Sequence, residues 1–283
     1  MSILKRRSLI ILSFLAFLNA FAWIAVFDLA RSKNLEVVFF DVGQGDAAFI
    51  ETPRGHQILI DGGPDSSLPE KLAKEMPFWD RTIDLIILTH PEKDHMAGLI
   101  EVLRSYKVEN VLWTGVVRNT ADCQEWIKLT AEEGARMHIA ESGLRVKIGQ
   151  AFLYVLHPFE NLEGKNIEDS NNTSVIARIV FKETSFLFTG DAYQSAENKI
   201  ISLKADLDSD VLKAGHHGSK TSTGKEFVEA VSPKFAIISC GRDNSYGHPS
   251  PEALEALEGA EILRTDREGN IKFMSDGREV WLD

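Results

Sequence analysis

Leu85-Ile86-Ile87-Leu88-Thr89-His90-Pro91-Glu92-Lys93-Asp94-His95-Met96-Ala97-Gly98 passes from four apolar residues straight into a group of coordinating side chains. The apolar part predicts a buried strand over 83–88, and the residues beyond the group predict an amphipathic helix over 97–106. Ends of such elements are where a rigid scaffold presents functional groups. His90, Glu92, Asp94 and His95 place two imidazoles and two carboxylates within six positions, a nitrogen and oxygen mixture that suits zinc or manganese rather than a thiolate site. Pro91 disfavours helix at the residue before it, which predicts a tight loop for these donors. A solvated loop with Asp94 capping the next helix is the ordinary alternative.

The pattern recurs along the chain. His157 follows the apolar run 152–156, Asp191 follows 186–190, and His216-His217 follow 211–213. Any one of these is a common cap or turn residue, but together they converge on one sheet edge and favour a metal site. Strands are predicted at 35–40, 47–51, 57–60, 108–113, 152–156, 175–181, 185–188, 211–213, 235–239, 271–274 and 280–282, with Pro53-Arg54-Gly55 as a turn. Helices are predicted at 121–133, 192–203, 225–231 and 252–257. No linker, repeat or low-complexity run interrupts 34–283, so this stretch reads as one α/β domain with helices packed outside two sheets.

The 283 residues are 44% hydrophobic and 26% charged, enough to bury a large core. Cys123 and Cys240 are too few for a disulfide framework or a cysteine metal site. Residues 1–33 carry Lys5, Arg6, Arg7, Arg31 and Lys33 against Asp28; that local +4 leaves −15 of the net −11 on the rest. So acidic a body argues against a broad phosphate-tracking surface. Residues 8–27 carry no charge, and such a run predicts a membrane-spanning helix, with residues 1–33 as an uncleaved anchor and the domain outside the cytoplasm. Ala20-Phe21-Ala22 keeps open the alternative of a cleaved signal and a secreted protein.

FFDVGQGDA (39–47), ILIDGGP (58–64), LTHPEKDHMAG (88–98), NNTS (171–174), FTGD (188–191), LKAGHHGSKTST (212–223), YGHPSPEAL (246–254) and RTDREG (264–269) stand in an order and spacing that resembles the metallo-β-lactamase superfamily. More closely, they resemble the β-lactamase-like domain of the ComEC family of DNA-internalisation competence proteins. The resemblance covers nearly all of 35–283 and implies an αββα sandwich of two mixed sheets with outer helices. The many-span channel region of full ComEC proteins has no counterpart in this sequence.

Carried over position by position, the superfamily's HxHxDH motif becomes His90, Glu92, Asp94 and His95, with Glu92 in place of the second histidine. That change moves the donors toward oxygen, favours manganese over zinc and argues against β-lactamase activity. The resemblance implies two divalent ions, zinc or manganese. His90, Glu92 and His157 would hold one, Asp94, His95 and His216 the other, with Asp191 bridging and Asp61 orienting a ligand. Spacing does not separate His216 from His217. His216 is favoured because the superfamily's final histidine usually stands two residues before a glycine, which leaves His217, with Asp94 and His248, for substrate contact or proton transfer.

Asp41, Gln44 and Asp46 lie in a glycine loop suited to a phosphate or to a tight turn. Asn172, Ser174 and Lys220 are further candidates for substrate contact, and Lys93, Lys213 and Lys225 extend a local basic rim. Trp113 and Trp126 suit base stacking or, more simply, the core. Ser219 lacks a nucleophile-elbow signature. The expected activity is metal-dependent phosphodiester hydrolysis, and the resemblance implies DNA, single-stranded, as the substrate. A small phosphoester or phosphocholine-type substrate is the alternative, and a non-catalytic binding module the third reading. No protein partner is deducible.

Overall fold

Strands that are apolar on both faces must lie between layers, and the order of elements shows how those layers form. The structure, a computed structural model, describes residues 3–30 and 34–283, the side chains of the first stretch in part. Helix α1 (Ile3–Ala30) covers the uncharged run, and Leu9, Ile10, Phe14, Phe17 and Phe21 on it are exposed. The expected membrane span is not supported. A span requires roughly 20 consecutive, predominantly apolar residues, and among the described residues no helix is long and apolar enough to cross a membrane.

The first half of the domain supplies β1 (Leu35–Phe39), β2 (Ala48–Glu51), β3 (Gln57–Ile60), α2 (Leu68–Glu75), β4 (Thr82–Leu88), α3 (Lys93–Ser105), β5 (Lys107–Trp113), α4 (Ala121–Glu133) and β6 (Arg136–Ile139). The second half supplies β7 (Arg145–Ile148), β8 (Ala151–His157), β9 (Ile176–Phe181), β10 (Thr184–Phe188), α5 (Gln194–Ser202), β11 (Val211–Lys213), α6 (Lys225–Val231), β12 (Phe235–Ile238), α7 (Pro251–Ala256), β13 (Glu261–Arg264), α8 (Thr265–Glu268), β14 (Ile271–Ser275) and β15 (Val280–Leu282). The strands form two mixed sheets, β15-β14-β1-β2-β3-β4-β5-β6 and β13-β12-β11-β10-β9-β8-β7. In each, a parallel run, β3 to β6 or β10 to β13, continues an antiparallel one.

Alternation along the strands explains the layers. Leu85 and Ile87 of β4 face the other sheet and join Phe39, Phe186, Phe188 and Phe273 in the inner core, while Ile86 and Leu88 face Leu72, Leu99 and Val102 of α2 and α3. Leu187, Leu212 and Ile238 meet Ile200, Phe227 and Leu257 on the far side of the second sheet. Each such side chain contributes about 1.5–3 kcal/mol on burial. The result is the αββα order the resemblance implies.

Helix α3 begins four residues earlier than its predicted start at 97, so Asp94 and His95 occupy its first turn rather than a loop. Pro91 precedes the extended Glu92 at the N-cap, where it conflicts with no helical hydrogen bond. Strands β6, β7 and β13 and the short helices α2 and α8 have no counterpart among the predicted elements.

Two glycine turns fasten the start of α3. Gly62 donates its N–H to the His95 carbonyl at 2.6 Å and Asp46 to that of Asp94 at 3.2 Å; Gly98 donates to the Gly63 carbonyl at 3.2 Å. A Cβ on Gly98 would lie 2.0 Å from the Gly62 carbonyl oxygen, backbone against backbone. Gly98→Ala is therefore expected to cost about 3 kcal/mol, the upper end for overpacking. Urea unfolding measures it, and an unchanged midpoint would show that helix and turn do not meet in this way.

Glu197 of α5 fixes the other loop of the site. Its buried carboxylate accepts the N–H groups of Thr223 at 2.6 Å and Gly224 at 2.9 Å, and the Thr223 hydroxyl in turn accepts the Gly215 N–H at 2.9 Å. Burial pushes Glu197 from its ordinary 4.5 up to about 7, against the pull of these two N–H groups. Between those values the folded chain holds a proton that the unfolded chain has lost, so stability falls as pH rises through the window. Glu197→Gln removes this titration, and its urea midpoint is expected to change less than that of the wild type between about pH 5 and 7.5. Equal slopes would remove Glu197 from the account.

Candidate metal centre

Three histidines reach one buried point, His90 and His95 from one chain segment and His217 from another, each with its outer ring nitrogen already engaged. His90, just past β4, has Nδ1 2.9 Å from the Thr89 hydroxyl and 3.2 Å from that of Ser174. His95 has Nδ1 2.8 Å from Asp61 Oδ2, and His217 has Nδ1 3.0 Å from the Ser239 carbonyl oxygen. Asp61 is held in turn by the Thr89 N–H at 2.8 Å and the Thr89 hydroxyl at 2.7 Å. Holding one ring nitrogen so that the other faces inward is how proteins orient histidine ligands.

The inward atoms converge on Asp191, which follows β10. His95 Nε2 is 3.3 Å from Asp191 Oδ1, while His217 Nε2 and His90 Nε2 are 3.6 and 3.9 Å from Oδ2. Asp94 adds its Oδ2 at 3.3 Å from His217 Nε2. Donor atoms of Asp94, His95, Asp191 and His217 all lie within 4.8 Å of one another. The Nε2 atoms of His90, His95 and His217 and Asp191 Oδ1 are buried without hydrogen-bond partners, whereas buried polar atoms are normally satisfied. Converging orphaned nitrogen and carboxylate donors with held outer nitrogens fit a divalent cation of the zinc, manganese or iron type.

The electrostatics agree with that fit. Burial, followed by the charge on His95, lowers His90 to about 3, so its imidazole is neutral and free to coordinate. Burial opposes charge on His217, yet Asp191 and Asp46 lift it to about 9; Asp191 and Asp61 likewise raise His95 well above its ordinary value. Burial also works against the carboxylates, but His217 and His95 hold Asp191 and Asp94 ionised. The group therefore stores negative charge that protons balance and a cation can take over.

His216 and His217 separate here. Both have left-handed backbone, φ 48° and 54°, which sends neighbouring rings to different places. The His217 side chain is 2% exposed and belongs to the donor group; that of His216 is 22% exposed, with Nε2 3.3 Å from Asn171 Nδ2 and 3.7 Å from Asp191. His157 is held by the Ser174 carbonyl at 2.8 Å and packs on Phe159. Glu92 faces Arg118, with which it ion-pairs, and accepts the Ser170 hydroxyl at 2.7 Å, so it stands apart from the four-residue group.

The candidates for substrate contact divide similarly. Gln44 and His248 line a cleft of about 300 Å³ over the donors and touch each other, Nε2 to Nδ1, at 3.3 Å. Asp46 is buried and paired with Lys213. Ser174 is buried under His90 and Asp191, whose N–H it accepts at 3.0 Å. Asn172 secures the Tyr193 N–H at 3.0 Å, and Asp41 caps its own turn at Gly43. Lys220 lines a different cavity of about 710 Å³ beside α6 and α7. Lys213 is buried, so the basic rim loses it, while Lys93 and Lys225 are exposed.

Sequence reading names Asp46 and Lys213 but not their pairing, and it does not name Arg118 or the tyrosines at the cleft. Lys213 ends a strand of buried residues, a position that signals a buried charge with a partner. For Arg118 the sequence gives no comparable signal.

The pattern described as metallo-beta-lactamase superfamily matches residues 40–242. The chain is 32% identical over 269 residues to ComE operon protein 3 of Bacillus subtilis (strain 168), covering 87% of this chain and 34% of that protein. It is 32% identical over 242 residues to competence protein ComA of Neisseria gonorrhoeae, covering 84% and 32%. It thus spans about a third of the length of the curated relatives it matches, and they bear out the ComEC resemblance. The solved metallo-beta-lactamase fold protein YhfI from Bacillus subtilis superposes with a TM-score of 0.58 at 14% identity, covering 86% of this chain and 100% of that one, a likeness of fold alone. With the sandwich, the donor set and the matched segment in agreement, the chain belongs to the metallo-beta-lactamase superfamily.

Proposed function

We propose that this chain is a metal-dependent phosphodiesterase acting on single-stranded DNA. The observation that carries the reading is the convergence of the orphaned His90, His95 and His217 nitrogens and Asp191 Oδ1 beneath an open cleft. The competence-protein name of a relative supports DNA as the substrate. His90, Asp94, His95, Asp191 and His217 would hold the metal. Bound there, divalent cations supply Lewis acidity that activates water and balances charge on the phosphate.

The chain's own groups do the rest. Asp94, the least buried of the four grouped donors, accepts a proton at Oδ2. His216 and His248 stand at the rim with rings 5.7 Å apart, within reach of a leaving oxygen. Burial lowers both below the ordinary histidine value, so near neutral pH both rings are uncharged and can take up or relay a proton. Asp61 orients His95 without facing the cleft.

The acidic lining of the small cleft, with Glu92, Glu168 and Asp169, favours a second reading in which the substrate is a compact phosphoester.

End-labelled single- and double-stranded DNA, incubated with the purified chain and manganese or zinc, separates the readings. Cleavage is expected to require added metal, to stop with chelator, and to be lost in Asp191→Ala. Folded, metal-loaded protein that leaves DNA intact while hydrolysing a small phosphoester would establish the second reading. Asp61→Ala is expected to lower metal affinity roughly 10- to 100-fold, read by isothermal titration with manganese; an unaltered affinity would show that His95 needs no such support.

A further inference from the structure

An aromatic wall crosses the mouth of the cleft, and proton transfer leaves its two tyrosines unused. Tyr246 and His248 lie nearly parallel, with centroids 5.8 Å apart and planes at 24°; Tyr193 and His216 repeat this at 5.9 Å and 25°. The two pairs meet where His216 and His248 cross at 72°. His248 in turn stands 6.4 Å from His217, inside the donor group. Tyr193 is tied down through its hydroxyl to Asp169 at 2.9 Å. Tyr246 is 70% exposed and lines the cleft beside its stacked histidine, presenting a flat apolar face to solvent.

The charges around it say what that face is for. Among the described residues the cleft lining has Glu92, Asp94, Glu168, Asp169 and Asp191 but no lysine or arginine. Of the neighbouring cations, Arg118 is engaged on Glu92 and Lys213 on Asp46, while the exposed Lys93 lies outside the lining. A polyanionic strand therefore gains little from side-chain charge here, and its hold must come from contacts indifferent to charge. Base stacking on an aromatic ring is such a contact, and it tolerates any sequence. Tyr246 is linked to the donor group by two ring-to-ring steps, 5.8 Å to His248 and 6.4 Å on to His217, so a base stacked on it would adjoin the donors rather than displace them.

We infer that Tyr246 is a stacking platform for the nucleobase adjoining the scissile phosphate, and that it makes the site select base-bearing phosphodiesters over bare ones. This rests on the phosphodiesterase reading and adds a substrate determinant to it.

The test compares oligothymidylate with an abasic oligomer of equal length, using wild type, Tyr246→Ala and Tyr246→Phe. Selectivity for the thymidylate, as a ratio of kcat/KM values, is expected to fall roughly tenfold in Tyr246→Ala through a rise in KM, and to persist in Tyr246→Phe. Independently of turnover, Tyr246→Trp emission is expected to be quenched by phosphorothioate-linked oligothymidylate, which resists cleavage, and not by the abasic oligomer. Unchanged selectivity in Tyr246→Ala, or tryptophan emission indifferent to the thymidylate, overturns the stacking role. A wild type that cleaves neither oligomer overturns the phosphodiesterase reading instead, and the quenching alone then decides whether Tyr246 binds bases.

Discussion

The buried Asp61 carboxylate joins the two halves of the segment that carries His90, Asp94 and His95. It sits on a left-handed backbone, φ 57°, just past β3, and receives the Thr89 amide, the Thr89 hydroxyl and His95 Nδ1. One side chain thereby fixes the end of β4, the rotation of His95 and the direction in which α3 departs. Burial pushes its carboxyl upward in pKa, and His95 works against that push. A buried carboxylate left without these partners would be costly, so the bonds that satisfy Asp61 also fix the geometry of the site.

The same economy explains how a strongly acidic domain keeps so many carboxylates together. Asp46 is matched by Lys213 and His217, Glu92 by Arg118 and Ser170, and Glu197 by two backbone N–H groups. Among the described residues, the Asp94 and Asp191 carboxylates are matched only by the histidines of the site. Carboxylates supported from outside hold the loops, and those facing only histidines remain for a cation. Glu92 falls in the first class because Arg118 reaches it, although it stands in the motif position where the superfamily has a donor histidine.

The fold was legible where apolar runs end in coordinating residues. The strands at 83–88, 152–156 and 185–188 and the positions of His90, Asp94, His95 and Asp191 follow from that one signal, because such a donor after a single strand is common but its repetition at several strand ends is not. The edge strands β6 and β7 were not legible: Arg136-Met137-His138-Ile139 and Arg145-Val146-Lys147-Ile148 alternate polar with apolar residues, but each run is only four residues long and buries at most one side chain, so it does not stand out from the loops beside it. Trp113 and Trp126, weighed as stacking residues, are buried 6.4 Å apart. The exposed ring at the cleft is Tyr246, which lies in an irregular turn where periodicity gives no information. Nor does hydropathy distinguish His216 from His217, since adjacent identical residues score alike.

What separates that pair is backbone strain. Two consecutive non-glycine residues in the left-handed region cost roughly 1–2 kcal/mol each, and strain of this kind persists only where surrounding bonds impose it. Here they do: His216 N–H donates to the Gly190 carbonyl at 3.0 Å, Ser219 N–H to the His216 carbonyl at 2.8 Å, and the His217 ring is held by Ser239. An extended exit from β11 would put adjacent side chains on opposite faces of the sheet, one of them lost to the core. Coiling both residues left-handed instead keeps both rings on the cleft side, His217 sunk among the carboxylates and His216 at the rim beside His248. A buried donor and a half-buried ring thus come from neighbouring positions, and the strain is what sets His217 among the carboxylates and His216 at the rim of the cleft.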